Sequence, residues 1–351
     1  MKVDLASLLR PHLLTLKPYT SARDEYSGSE GVFLDANENP FGSITQADYN
    51  RYPDPYQSAL KSEIAKIKGC APAQIFLGNG SDEAIDLLFR AFCNPGKDNV
   101  ILLPPTYGMY GVSASINNVE IRNVALTPDF QLQPEKILAA GDTQTKILFI
   151  CSPNNPSGNA AKREDIQYLL ENFPGIVVVD EAYIDFSSEP SLIHDLDQYP
   201  NLLVMQTFSK AWGLASLRLG MAFASPELIA ILNQIKPPYN ISGLTQETVL
   251  AALPNKGKVD ELIQKIIEER TFLREELEKL PDVLKIHPSD ANFLLVQVPD
   301  ANRFYDGLIE EKVIVRNRST VLHCEGCLRI TVGTRDETLA LLQAFEKIAT
   351  N

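Results

Sequence analysis

Positive charge is scarce in this sequence. Across 351 residues, 32 Lys and Arg stand against 45 Asp and Glu, a formal net charge of −13. A chain that grips nucleic acid is normally basic, so nucleic acid is not an expected partner. Long apolar runs are missing too. The longest, such as Ile147–Cys151 and Ile176–Val179, are strand-sized, far below the ~20 residues of a membrane span, and no membrane partner is expected. Cysteine is sparse: Cys70, Cys93, Cys151, Cys324 and Cys327 are odd in number and scattered, which excludes a small disulfide scaffold and fits a reduced, cytoplasmic compartment. The N-terminus carries Lys2, Asp4 and Arg10 and no continuous apolar stretch, so no signal peptide is read there. Histidines are few and dispersed. His323-Cys-Glu-Gly-Cys327 holds a C-x-x-C but lacks a second ligand pair, so it is read as a loop and no metal is expected.

What is present is ordinary globular composition, 44% hydrophobic and 22% charged. At roughly 150 residues per domain, the length suggests about two domains. Residues 1–30 read as an arm rich in Pro, Ser and acid, with one helical turn at Leu5, Leu8 and Leu9. Val32–Leu34 reads as a short strand, followed by turn-rich segments at Asp35–Pro40 and Arg51–Pro55. Leu60, Ile64 and Ile67 mark a helix that stops at Gly69. Strands are predicted at Gln74–Leu77, Val100–Leu103, Ile147–Cys151, Ile176–Val179 and Leu202–Met205, with one more at Met221–Ala224. Near-continuous Ile, Val and Leu runs point to strands buried on both faces, as in a parallel sheet covered by helices. A long helix over Lys256–Leu280, with an apolar stripe at Leu262, Ile266, Leu273 and Leu277, ends at Pro281. Beyond it, strands at Phe293–Val298, Val313–Arg316 and Cys327–Val332 alternate with helices at Asn302–Glu311 and Arg335–Ala349, the pattern of a smaller α+β domain.

Five polar segments stand at strand ends, where open α/β sheets bind ligands. Thr207-Phe-Ser-Lys210, with Arg218 beyond, surrounds a lysine with two hydroxyls and a guanidinium. Such groups hold phosphate, and a partly desolvated lysine is a Schiff-base nucleophile; the alternative is a surface lysine beside a polar loop. Gly78-Asn-Gly-Ser-Asp82 offers a helix N-terminus to an anion, or is a plain turn. Asn155, within Ser152–Gly158, is a donor to a ligand oxygen or a self-capping turn residue. Asp180, within Val179–Tyr183, is a partner for a ring nitrogen or a helix N-cap. Tyr107 presents a flat face to a heteroaromatic ring. Together these segments supply a phosphate cradle, a lysine, a ring-nitrogen acid, donors and a stacking ring, which is what pyridoxal 5′-phosphate (PLP) requires.

These segments, with Asp35–Pro40, Arg51–Asp54, Pro105–Tyr110 and Val315–Arg318, make the chain resemble the fold-type I PLP-dependent enzymes. Among them it is similar to the histidinol-phosphate aminotransferase family, from about Pro18 to Gly333. The resemblance implies an α/β fold. A large domain would hold a mostly parallel seven-stranded sheet between helices, with a smaller α+β domain beside it. Expected bounds are 1–30 for the arm, 31–255 for the large domain and 256–351 for the small one, with part of the N-terminal segment packing on the small domain. Lys210 would be the cofactor-binding lysine and proton carrier. Asp180 would be the partner of the ring nitrogen, and Asn155 and Tyr183 would hold the ring oxygen. Tyr107 would stack on the ring, and Gly80, Ser81, Asp82, Thr207, Ser209 and Arg218 would hold the phosphate. Tyr52 would cross a homodimer interface to the partner's cofactor. Tyr19, Asn37, Arg316 and Arg329 would bind substrate, the two arginines serving either the phosphate of histidinol phosphate or the carboxylates of glutamate and 2-oxoglutarate. The arm after Arg23 is acidic at Asp24 and Glu25. Rival readings on the same frame are a broad aromatic aminotransferase, a threonine-phosphate decarboxylase and a PLP-free binding protein.

Overall fold

The computed structural model describes residues 3–19, 30–45 and 47–350. The expected acidic arm at Asp24 and Glu25 lies outside them. Seven strands form the larger sheet: β1 (Ile75–Asn79), β2 (Asn99–Leu102), β3 (Glu120–Asn123), β4 (Thr145–Cys151), β5 (Ile176–Asp180), β6 (Leu202–Thr207) and β7 (Leu219–Ala224). Their order is β1-β7-β6-β5-β4-β2-β3. Only β7 runs antiparallel to its neighbours; the other pairs are parallel. Strands β4 to β7 are buried almost throughout. Helices cover both faces, and the sheet divides its core into two layers. A second sheet, wholly antiparallel, has the order β10-β11-β9-β8 from β8 (Lys285–Ile286), β9 (Phe293–Gln297), β10 (Arg316–Asn317) and β11 (Cys327–Thr331). This is the fold class expected from the sequence.

Several local expectations need correction. Val32–Leu34 is not a strand: Val32 and Leu34 are 88% and 87% exposed, and no strand among the described residues pairs with them. Edge strand β3 went unread because its alternating Glu-Ile-Arg-Asn has little apolar content. The strand expected at Val313–Arg316 shrinks to Arg316–Asn317. The long helix runs from Lys256 to Leu277, and its buried side is Val259, Ile263, Leu273 and Leu277; Leu262 faces outward. Leu5, Leu9 and Leu13 pack with Phe89, Phe92 and Leu228 on the helices of the large sheet. No helix among the described residues is long and apolar enough to cross a membrane. All five cysteines are free thiols.

Candidate active site

Sheet topology brings the polar segments to one edge. Strands β4, β5 and β6 run parallel, with Cys151 paired to Asp180 and Asp180 to Met205. Because β7 runs the other way, its first residues lie at the same edge as the C-terminal ends of β1 and β6: Asn79 pairs with Leu219, and Thr207 with Gly220. A cavity of about 130 Å³ opens there. Gly80, Ser81, Asp82, Tyr107, Asn155, Asp180, Tyr183, Thr207, Ser209, Lys210 and Arg218 line it, so every expected cofactor residue except Tyr52 converges on one space.

One end of the cavity is an anion cradle. The helix Ser81–Phe92 begins at Gly80, whose N–H donates to the Arg218 carbonyl at 2.7 Å. Arg218 itself has φ +52°, a left-handed conformation rare outside glycine and one that recurs at functional sites. Two glycines are sterically required. A Cβ on Gly80 (φ +71°) would lie 2.7 Å from Arg218 Nη2, and one on Gly220 would lie 2.2 Å from the Ser81 nitrogen. Their bareness lets the helix N-terminus sit directly across β7, with its amide dipoles and the Arg218 guanidinium at the cavity. The Thr207 hydroxyl accepts the Ser209 N–H at 3.0 Å, which fixes the loop that carries Lys210.

The opposite end holds a buried carboxylate. Asp180 Oδ1 accepts the Ala182 N–H at 3.1 Å, and Oδ2 accepts the Tyr110 hydroxyl at 2.7 Å. The capping-type bond thus uses one oxygen, leaving the carboxylate with a second role. Burial pushes its pKa up to about 6, while the bonds from Tyr110 and Ala182 hold it down. Tyr110, fully buried and stacked on Phe149, was not singled out from the sequence. The Lys210 ammonium lies 5.7 Å from the Tyr183 ring centroid. Its pKa is lowered, first by desolvation and then by Arg329 and Arg218. Asn155 bridges two functions: Nδ2 donates to the Tyr183 hydroxyl at 3.4 Å, and Oδ1 accepts from Arg329 at 2.5 Å. The Tyr107 hydroxyl donates to Asp82 at 3.2 Å, and its ring stands edge-on to Tyr110.

The small sheet supplies the cationic wall. Arg329 lies over the Phe293 ring at 5.3 Å, and Arg316 is its direct cross-strand partner. The remaining expected residues lie elsewhere in the single chain. Tyr19 is 75% exposed. Asn37 and Tyr52 line a separate, larger groove of about 720 Å³, where Tyr52 stacks on Tyr239 with centroids 4.5 Å apart. There Glu38 accepts the Tyr52 N–H at 2.7 Å and an Arg51 N–H at 2.6 Å. The Cys324 and Cys327 thiols are buried, with pKa values raised by burial to about 12 and about 11.

The family model for aminotransferase class I and II matches residues 30–345. The chain is 56% identical over 346 residues to the histidinol-phosphate aminotransferase of Cytophaga hutchinsonii, covering 99% of both chains. It is 53% identical over 345 residues to that of Parabacteroides distasonis, covering 98% of this chain and 99% of the relative. The chain belongs to the histidinol-phosphate aminotransferase family. Solved structures share the family fold. The enzyme of this name from Clostridium acetobutylicum superposes with a TM-score of 0.80 at 22% identity, covering 86% of this chain and 92% of that one. The one from Sinorhizobium meliloti, in complex with pyridoxal 5′-phosphate, gives 0.78 at 24% identity and 90% coverage of both.

Proposed function

We propose that this protein is a PLP-dependent enzyme that transfers the amino group of L-histidinol phosphate to 2-oxoglutarate, forming imidazole acetol phosphate and L-glutamate in histidine biosynthesis. One observation carries the reading: the cavity that gathers Lys210, Asp180, Asn155, Tyr183 and Arg218 occurs in a chain 56% identical, over 99% of both lengths, to a histidinol-phosphate aminotransferase.

The cavity fits the cofactor. The cradle of Gly80, Ser81, Thr207, Ser209 and Arg218 suits its phosphate, and the buried Asp180 carboxylate in the same cavity suits a protonated ring nitrogen. When bound, PLP supplies an aldehyde that attaches an amine covalently and an electron-withdrawing ring that makes a neighbouring C–H bond acidic. Lys210 Nζ would hold the cofactor at its aldehyde carbon and would carry the proton that leaves the substrate Cα. Its lowered pKa favours the neutral amine that both tasks need. The Asp180 carboxylate keeps a proton on the ring nitrogen. Asn155 and Tyr183 hold the ring oxygen, Tyr107 covers the ring, and Gly80, Ser81, Asp82, Thr207, Ser209 and Arg218 seat the phosphate. Arg316 and Arg329 orient the substrate anion; Tyr19, and Asn37 from the Tyr52 groove, would close over it once the dimer brings that groove to a cavity. The domain division at 31–255 and 256–351 places the two arginines on the small domain and the cradle on the large one.

The working unit is a homodimer. Val32, Leu34, Phe41 and Ile44 are exposed apolar side chains in the segment that gives Asn37 and Glu38 to the Tyr52 groove, where Tyr52 is itself half-exposed, and they support a second copy there. In that dimer Tyr52 reaches the partner's cofactor phosphate. Five free thiols suit the reducing cytoplasm. Product analysis tests the reaction. The PLP-loaded protein given histidinol phosphate and 2-oxoglutarate should accumulate glutamate in step with imidazole acetol phosphate. Carbon dioxide release from threonine phosphate, with no glutamate formed from histidinol phosphate, would overturn it.

A further inference from the structure

We propose that Arg318, two residues beyond Arg316, is the residue that makes the substrate pocket prefer a dianionic phosphate ester over a carboxylate. The inference deepens the proposed function and rests on it for the position of the substrate pocket.

The small sheet places this side chain. Arg316 pairs with Arg329, and the Arg318 N–H donates to the Cys327 carbonyl at 2.8 Å, so the antiparallel ladder continues one step past β10. Alternation then sets Arg316, Arg318, Cys327 and Arg329 on one face. That face looks toward the site. Cys327 shares its core with Tyr183 and Phe293, whereas Leu328 and Ile330, on the other face, pack with Phe304 and Phe345. Three guanidinium groups therefore stand together beside Tyr183.

Among the described residues none of the three is ion-paired with a carboxylate. Arg329 donates to the neutral Asn155 amide. The Arg318 side chain has no hydrogen-bond partner there, and its Nε is wholly buried. Like charges opposite one another on a sheet, and a buried donor left unmatched, both lower stability. Such an arrangement is explained by an anion that arrives later. Burial and mutual repulsion lower the proton affinity of both Arg318 and Arg329, in keeping with a site short of negative charge. One carboxylate has two oxygens and one charge, which a single bidentate arginine satisfies. A phosphate monoester presents three peripheral oxygens and nearly two charges, enough for a third guanidinium. Arg218, at the far end of the cavity, is committed to the other phosphate.

The test uses the PLP-loaded protein and its Arg318→Gln and Arg318→Lys variants. Arg318→Gln should raise KM for histidinol phosphate by about 10- to 100-fold, the loss of a charge-assisted hydrogen bond, and KM for glutamate by no more than about threefold. The thermal midpoint should hold or rise, because a repulsive charge is gone. Arg318→Lys should fall between. Below about pH 6, where the phosphate dianion takes up a proton and becomes a monoanion, wild-type KM for histidinol phosphate should climb and that climb should flatten in Arg318→Gln. Inorganic phosphate, assayed as a competitor of glutamate, should show a Ki raised about tenfold or more by Arg318→Gln. Equal losses for both substrates, or an unchanged phosphate Ki, would overturn the proposal. A wild type that does not react with histidinol phosphate would overturn the functional reading instead, and the phosphate Ki would still decide the role of Arg318.

Discussion

Asp180 shows how one side chain can work against the fold and for the site. Its carboxyl titrates near 3.8 when unfolded and near 6 in the folded protein, because burial disfavours the charge. Between those values the folded state holds more protons, so stability falls as pH rises through that window, and the cost is fully present above pH 6. Without cofactor, Asp180→Asn should therefore be more stable than wild type above pH 6, by up to roughly 3 kcal/mol, with the difference vanishing near pH 4. Urea titrations of the two cofactor-free proteins at both pH values check this. The same variant should bind PLP more weakly, since a neutral amide cannot hold a protonated ring nitrogen by charge. Tyr110→Phe removes the hydroxyl that donates to Asp180 and should shift the same window upward. At this scale the sequence was legible where chemistry sits in short runs at strand ends, as at Thr207–Lys210 and Asp180–Tyr183. Tyr110 was not legible, because its bond to Asp180 spans 70 positions. Arg318 belongs to the Val315–Arg318 motif, but the role proposed for it depends on a cross-strand register that spacing alone does not reveal.

Elements explain why the motifs converge. The apolar runs of β4, β5 and β6 announce strands buried on both faces, and those strands are where the sequence placed them to within two residues. The direction of β7 was not legible, yet it decides the cradle by bringing Arg218 to the edge where the other strands end. Gly220 is the close-contact point. Gly220→Ala forces a Cβ to within 2.2 Å of the backbone of Gly80 and Ser81, neither of which can yield without moving the helix Ser81–Phe92. The expected outcome is a loss of ~1–3 kcal/mol in denaturant unfolding, the usual cost of overpacking. PLP affinity, read by fluorescence quenching, should fall with it. Val32–Leu34 shows the converse limit: apolar residues with strand propensity form no strand without a neighbour to pair with.

At the scale of the molecule, one chain carries two separated halves of the expected site. The Lys210 cavity gathers the residues proposed for the cofactor, and the groove with Asn37, Glu38, Tyr52 and Tyr239 is separate from it. If Tyr52 serves the partner's cofactor, two inactive variants should complement each other. Mixed dimers of Lys210→Ala with Tyr52→Ala contain one site bearing both defects and one bearing neither. Activity should reappear on mixing and subunit exchange; no recovery, with dimers demonstrated by sedimentation, would remove Tyr52 from the shared site.

The central claim is that the Lys210 cavity carries out transamination of histidinol phosphate. Single-turnover absorbance tests it most directly. The PLP-loaded protein, without 2-oxoglutarate, is mixed in turn with histidinol phosphate, phenylalanine and threonine phosphate. The visible band of the lysine-bound cofactor should vanish fastest with histidinol phosphate, pyridoxamine phosphate should appear in equal amount, and Lys210→Ala should show neither change. Comparable rates with phenylalanine, or loss of the band without pyridoxamine phosphate, would contradict the account.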